Sequence, residues 1–77
     1  MNTMTQEHRF AICVENDGYA ASLELWKVYR ILADEKAEQH GMIRVVDESG
    51  EDYLYSEGSF VPINLPAQVA DAILAAA

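Results

Sequence analysis

Residues 42–55 read Met-Ile-Arg-Val-Val-Asp-Glu-Ser-Gly-Glu-Asp-Tyr-Leu-Tyr, two segments rich in β-branched and aromatic residues around a polar centre. Such residues favour strands, and Gly50 supplies the positive φ that a tight turn requires. The stretch therefore predicts a hairpin, with a strand over 42–46, a turn over 48–51 and a returning strand over 52–55.

A further strand is predicted near the amino terminus. The segment Phe10-Ala11-Ile12-Cys13-Val14 is short and apolar, and the turn-forming residues Glu15-Asn16-Asp17-Gly18 follow it. We expect three alternate side chains to face the core and the two between them to face away: inward Phe10, Ile12 and Val14, and outward Ala11 and Cys13.

Residues 27–32 predict another strand after a connecting loop over 19–25. Alternation along this strand leaves open which of its two faces is buried. Loosely helical spacing over 20–32 is the alternative, but the β-branched and aromatic content favours the strand.

Two helical segments are predicted. Residues 34–41 form a short exposed helix that Asp34 caps and Gly41 ends. Residues 66–76 form a carboxy-terminal helix, because proline suits the first helical position. An apolar stripe at helical spacing must then pack on the domain or on another subunit; it consists of Val69, Ala70, Ile73 and Leu74.

Residues 59–63 predict a short last strand, which Pro62 either breaks or confines to a sheet edge. Three segments, Leu25–Leu32, Arg44–Glu51 and Phe60–Ile63, resemble small SH3-like proteins of bacteria and phage. In those proteins a Gly-Lys-x-Tyr strand start precedes an Asp-x-x-Gly hairpin and a final strand with phenylalanine. The stretch 47–55 also resembles a group of uncharacterised small bacterial proteins with an SH3-like barrel.

The resemblance covers residues 10–63 and implies a mainly β fold, an SH3-like small antiparallel barrel of about five strands with a short C-terminal α-helix. We expect a flexible N-terminal segment over 1–8 and a single SH3-like domain over 9–77. The sequence departs from the pattern at Trp26, where the family has glycine. Either the local turn differs or Trp26 lies outside the barrel. A shared fold leaves the function open.

Charge and composition narrow the classes of partner. The 77 residues include 13 acidic and five basic side chains, so the net charge is −8. The basic residues are scattered singly, which argues against nucleic acid and against an anionic membrane surface as partners. A basic protein partner, or solubility alone, fits this charge better. No secretory signal or membrane-spanning stretch is recognisable, and the single cysteine excludes an intramolecular disulfide, so we expect a cytoplasmic protein.

No catalytic pattern is recognisable, and we expect a chain that is not an enzyme, without cofactor or metal. Cys13 with His8 or His40 lacks a third, orienting group, and a barrel this small offers little depth for a substrate cleft. Four acids lie close together in the hairpin and predict a solvated turn, with a weak cation or basic-partner site as the alternative; they are Asp47, Glu48, Glu51 and Asp52.

The chain has more aromatic residues than a small core can bury, and several lie near acidic residues. We predict an interaction surface made of Tyr19, Glu24, Trp26, Tyr53 and Tyr55. Core packing, self-association and a ligand groove are alternative uses of these aromatic side chains. The sequence therefore predicts a non-catalytic protein-interaction or assembly module, with a homodimer as one form of it. The alternative is an acidic regulator or nucleic-acid mimic that binds a basic groove on another protein.

Overall fold

Five strands form one antiparallel sheet in the computed structural model, which describes residues 9–76. The strands are β1 (Phe10–Cys13), β2 (Val28–Leu32), β3 (Met42–Val46), β4 (Asp52–Ser56) and β5 (Phe60–Ile63). The helices are α1 (Glu35–Gln39) and α2 (Ala67–Ala76), and a 3-10 turn (Glu57–Ser59) joins β4 to β5. The predicted flexible segment 1–8 lies outside the described residues, as does the last residue of the predicted domain.

The strand order in the sheet is β4-β3-β2-β1-β5. Consecutive strands are neighbours from β1 to β4, and β5 returns to pair with β1, where Pro62 lies opposite Ala11. The chain is therefore mainly β with a C-terminal helix, as predicted, and Pro62 lies on an edge strand. No pairing between β4 and β5 occurs within residues 9–76, so the sheet is not closed into a barrel there.

Local turn and cap signals are confirmed where the sequence predicted them. Gly50 has φ 85° in the turn between β3 and β4, in the region that favours glycine. The Asp34 carboxylate accepts a hydrogen bond from the Ala37 backbone N–H at 3.0 Å and so caps α1. Gly41, with φ 71°, follows the end of that helix. These features depend on a few neighbouring residues, which is why their positions could be predicted.

The predicted inward face of β1 is wrong for most of its residues. Ala11 and Cys13 are completely buried in the main core, whereas Ile12 and Val14 are only partly buried. The register explains the reversal, because Ala11 lies opposite Tyr29 of β2 and Cys13 lies opposite Phe60 of β5. Two aromatic rings from the neighbouring strands fill this face, so the strand between them carries small side chains. Phe10 is also buried, but it does not belong to the main core that Ala11 and Cys13 join.

The strand interpretation of residues 27–32 is confirmed, and the structure decides its orientation. Tyr29 is buried and Ile31 packs against the same core, whereas Arg30 is exposed. The main core therefore lies on one face of the sheet; its buried members are Ala11, Cys13, Leu23, Tyr29, Val45, Tyr55 and Phe60.

Helix α2 buries only part of its apolar stripe. Ala70 is buried and Leu74 is partly buried, but Val69 and Ile73 are exposed. Pro66 precedes the helix, and its carbonyl oxygen accepts hydrogen bonds from the Val69 and Ala70 N–H groups at 2.9 Å each. Within residues 9–76, neither helix is both long enough and apolar enough to cross a bilayer.

Candidate functional site

The long loop between β1 and β2, residues 14–27, is held against the β3–β4 hairpin by a hydrogen bond and packs into the core. Leu23 projects into the core and is buried. The Glu48 N–H donates to the Ser22 carbonyl oxygen at 3.0 Å, and the Asn16 side-chain amide donates to the Leu23 carbonyl oxygen at 3.0 Å. A loop held by both a buried side chain and hydrogen bonds presents its exposed residues in a defined arrangement.

Glu48 connects the hairpin to β2. Its Oε2 accepts hydrogen bonds from Lys27 Nζ at 2.6 Å and from the Tyr29 hydroxyl at 2.5 Å. The hydrogen bond from Lys27, with that from Tyr29, holds the pKa of Glu48 below its ordinary value. The Glu24 N–H in turn donates to the Tyr29 hydroxyl at 2.7 Å, so the backbone of this predicted site residue belongs to the same network. Burial raises the pKa of Tyr29, and its hydrogen bond to Glu48 adds to the effect.

Asp47 is a buried acid with internal hydrogen-bond donors. Its Oδ1 accepts from the Ser49 N–H at 2.9 Å and from the Ser49 hydroxyl at 2.6 Å, and its Oδ2 accepts from the Tyr55 hydroxyl at 2.6 Å. Burial alone would raise the pKa of Asp47, but these hydrogen bonds outweigh it and the pKa lies below its ordinary value. The predicted solvated turn is therefore wrong for this acid.

The remaining hairpin acids also have partners. Arg44 Nη1 donates to Asp52 at 2.9 Å, and the Tyr53 hydroxyl donates to Glu51 at 3.0 Å. No group of three or more histidine, cysteine, aspartate or glutamate side chains within residues 9–76 has the arrangement to hold a metal ion. The hairpin acids thus hold together the hairpin, the loop and β2.

Tyr55 is a core residue, which corrects its assignment to the predicted interaction surface. Its side chain is only 5% exposed. Its ring contacts that of Tyr19 edge-on, with centroids 5.1 Å apart, and lies 6.0 Å from the ring of Phe60. Burial and the hydrogen bond to Asp47 raise the pKa of Tyr55 to about 12. Tyr55 is buried, and its hydroxyl binds the buried carboxylate of Asp47. The two-residue alternation of side chains along β4 does not distinguish it from the exposed Tyr53.

Trp26 lies outside the core, with 70% of its surface exposed. Its φ is 66°, in the left-handed region that favours glycine, and it is the one residue other than glycine with positive φ in the described part of the chain. The Trp26 N–H donates to the Cys13 carbonyl oxygen at 2.7 Å, and the Cys13 N–H donates to the Lys27 carbonyl oxygen at 3.0 Å. The backbone thus takes a conformation that glycine adopts more easily, and most of the indole is exposed.

The predicted surface is only partly assembled by the fold. Tyr19 is exposed and contacts Tyr55, and Glu24 reaches the Glu48 network through its backbone. Tyr53 is 49% exposed, and its hydroxyl binds Glu51. Neither Trp26 nor Tyr53 takes part in an aromatic pair among the described residues. The exposed members are therefore Tyr19, Glu24, Trp26 and Tyr53.

The Cys13 thiol is poorly placed for nucleophilic chemistry. It is completely buried and donates a hydrogen bond to the Glu15 carbonyl oxygen at 3.3 Å. Burial raises the pKa of this thiol, which disfavours the reactive thiolate. His8 lies outside the described residues, and His40 Nδ1 lies 2.9 Å from the Lys36 carbonyl oxygen.

A groove of about 650 Å³ lies among the described residues, where the sequence led us to expect little depth for a substrate cleft. Most of its apolar lining comes from three strands and a helix, and includes Ile31, Leu32, Met42, Ile43, Pro62 and Leu74. Four charged residues also line it: Arg9, Arg30, Glu38 and Glu57. Sequence analysis missed this site because no single segment carries a signal for it.

The chain was compared with protein-family models, curated proteins and solved structures, and none of them matches it. Residues 9–76 thus contain two candidate sites: the loop that carries the exposed Trp26, and the groove.

Proposed function

We propose that the chain is a non-catalytic protein-interaction module, built as an incompletely closed SH3-like barrel, with Trp26 as its anchor. Support for the barrel comes from the two edge strands of the sheet. The three-residue 3-10 turn joins β4 directly to β5, and the rings of Tyr55 on β4 and Phe60 on β5 lie 6.0 Å apart. The sheet therefore curls enough for its opposite edges to share one core.

The observation that carries the proposal is the exposure of Trp26 in a left-handed backbone conformation. A residue with a Cβ in that conformation is disfavoured by roughly 1–2 kcal/mol. Burying a large aromatic side chain would stabilise the protein by about 1.5–3 kcal/mol, yet most of this indole remains in water. Strain combined with an exposed tryptophan supports a binding role, because tryptophan is enriched among the residues that dominate interface energetics.

The surroundings of Trp26 indicate the kind of partner. Leu25 beside it is also exposed, and the same loop carries the exposed acids Glu15, Asp17 and Glu24. An apolar pocket with a basic rim would complement such a surface. In a symmetric dimer through this face, like charges would face one another, which favours a different protein as partner over a second copy.

The loop is also well prepared for binding. Leu23 is buried, Trp26 is hydrogen-bonded to β1, and Lys27 is paired with Glu48. A surface already held in place loses little conformational entropy when a partner binds. The ordered loop therefore supports specific binding rather than nonspecific hydrophobic association through one aromatic side chain.

Trp26→Gly tests the proposal, because glycine tolerates the observed φ while removing the indole. Immobilised wild-type chain, Trp26→Gly and the matched exposed-aromatic control Tyr53→Ala are compared for the proteins each retains. A retained protein is then purified and titrated by calorimetry. We expect Trp26→Gly to weaken binding by about 30-fold or more, as for an interface hot spot, and Tyr53→Ala to weaken it by much less.

Equal affinities of wild type and Trp26→Gly for every purified partner would contradict the proposal. So would loss of the fold in Trp26→Gly, since the indole would then be structural. Sedimentation velocity of the same variants at low and moderate salt tests the homodimer. A dimer that Trp26→Gly dissociates would make a second copy the partner.

The acidic-regulator alternative has weaker support. Asp47, Glu48 and Asp52 are engaged in internal hydrogen bonds or ion pairs, which reduces their availability to a basic groove. The exposed acids of the long loop remain available. Binding to a basic protein that weakens steeply with salt but is unaffected by Trp26→Gly would favour this alternative.

A further inference from the structure

The groove lies at one end of the sheet, where β1 and β3 begin and β2 and β4 end. Its floor is apolar, with Ile31 and Leu32 from β2, and Met42 and Ile43 from β3. Leu74 of α2 contributes another apolar side chain. Its volume of about 650 Å³ lies within the range of small-molecule sites, and the mouths of β-barrels are a common place for such sites.

The charges that line the groove are separated by sign. Arg9 directly precedes β1 and Arg30 lies on β2, whereas Glu38 lies on α1 before β3 and Glu57 directly follows β4. Since β1 and β2 are neighbours and β3 and β4 are neighbours, the cations border one half of the sheet and the carboxylates border the other. The groove therefore has a positive side and a negative side around an apolar floor.

Within residues 9–76, neither of the two arginines forms an ion pair. The salt bridges formed within residues 9–76 use Lys27 and Arg44. Of the three remaining basic residues of the chain, two line this groove, in a protein with a net charge of −8. Their position favours a ligand with one carboxylate over a polyanion, which the overall charge would repel.

We propose that this groove binds a short apolar peptide, two or three residues long, with both termini free. Its carboxylate lies towards Arg9 and Arg30, its ammonium lies towards Glu38 and Glu57, and its side chains lie on Ile31, Ile43 and Leu74. Addition of a longer extended strand along β5 is disfavoured, because Pro62 on that edge lacks a backbone N–H. This site is independent of the interaction proposed for Trp26.

The test uses the tripeptide Leu-Ala-Leu in four forms: free, N-acetylated, C-amidated and blocked at both ends. Each is titrated into ¹⁵N-labelled protein and followed by amide chemical shifts. We expect saturable shifts at Ile31, Leu32, Ile43 and Leu74, and none that saturate at Trp26. Blocking either terminus should weaken binding by about two- to fivefold, the effect of a solvent-exposed ion pair.

Charge variants of the protein test which side chains of the groove contact each terminus of the peptide. Arg30→Gln should weaken the free peptide by about two- to fivefold and leave the C-amidated peptide unchanged. Glu38→Gln should weaken binding of the free peptide by a similar factor and leave binding of the N-acetylated peptide unchanged. The matched controls are Lys36→Gln and Glu35→Gln, which remove the same charges from α1 at positions that do not line the groove; they should leave all affinities unchanged.

Three results would overturn the proposal. The first is the absence of saturable groove shifts at millimolar free peptide. The second is equal binding of the free and doubly blocked peptides, or equal effects of the groove variants and their controls. The third is binding of the N-acetylated tripeptide that is as tight as binding of the free tripeptide, which would show that the carboxylates of Glu38 and Glu57 do not recognise the ammonium. Groove shifts that depend on protein concentration without ligand would identify a second copy as the occupant instead.

Discussion

Tyr55 in the β3–β4 hairpin and Trp26 at the corner Leu25–Lys27 lie in opposite surroundings. In the hairpin, Tyr55 is buried between two rings and its hydroxyl binds a carboxylate. At the corner, Trp26 remains exposed in a backbone conformation that glycine would adopt more easily. Tyr55 therefore buries its ring and hydrogen-bonds its hydroxyl within the protein, whereas most of the Trp26 indole remains in contact with solvent. The hairpin contacts of Tyr55 stabilise the fold, whereas the exposed corner is the surface that the proposed interaction uses.

The strongest test of this comparison uses two tyrosines of one strand. Tyr55→Ala removes a buried ring, so we expect it to lower the free energy of unfolding by about 3–5 kcal/mol. Tyr53→Ala, two residues away and half exposed, should lower it by less than about 1 kcal/mol. Urea unfolding followed by circular dichroism measures both. Similar losses for the two variants would show that the hairpin does not separate buried from exposed tyrosines as described.

Tyr55→Phe removes the hydroxyl and keeps the ring, so it measures the contribution of the hydroxyl alone. We expect a loss of about 1–3 kcal/mol at neutral pH, because the charged and buried Asp47 loses a hydrogen-bond donor. Tyr53→Phe is the matched control, because its hydroxyl binds an exposed partner, and it should be close to neutral.

The pH dependence of the same variants sharpens this result. The folded-state pKa of Asp47 lies below its unfolded value, so its contribution to stability is present above the unfolded pKa of about 3.9 and is lost as pH falls through the folded pKa. We therefore expect wild type to lose more stability on acidification than Tyr55→Phe, in which the pKa of Asp47 is depressed less. Parallel acid-unfolding curves for the two proteins would contradict this linkage.

Trp26→Gly should have a smaller effect on stability, in the opposite direction. Removing a disfavoured left-handed φ stabilises the fold by roughly 1–2 kcal/mol, partly offset by the greater freedom of glycine when unfolded. We expect a melting temperature equal to that of wild type or a few degrees higher, whereas Trp26→Ala keeps the strain and gains nothing. A clear drop for Trp26→Gly in a thermal melt would place the indole among the stabilising residues.

Lys27→Gln should have the smallest effect. It removes an ion pair with Glu48 whose members are both substantially exposed, and such pairs contribute little. The small loss of stability expected at low salt should disappear in about 1 M NaCl, where surface charges are screened within a few ångströms. A loss that persists in high salt would mean that Lys27 acts through its contact with the Tyr29 ring, whose centroid lies 5.6 Å from Nζ.

The features that could be predicted from the chain are those that a few neighbouring residues determine. Gly50 predicts the hairpin turn, Asp34 and Gly41 predict the ends of α1, and the β-branched segments predict the strands. Each of these signals acts through backbone sterics or one local hydrogen bond. The predicted positions therefore agree closely with the elements in the structure, apart from single residues at some ends.

Other features depend on which strands become neighbours. The inward face of β1 follows from the rings of Tyr29 and Phe60 beside it, and the burial of Tyr55 follows from Asp47 eight residues earlier and Tyr19 in the long loop. The groove brings together residues from Arg9 to Leu74. Side-chain burial and pocket shape depend on register and on the curl of the sheet, which only the packed chain decides, because a local pattern carries no information about distant partners.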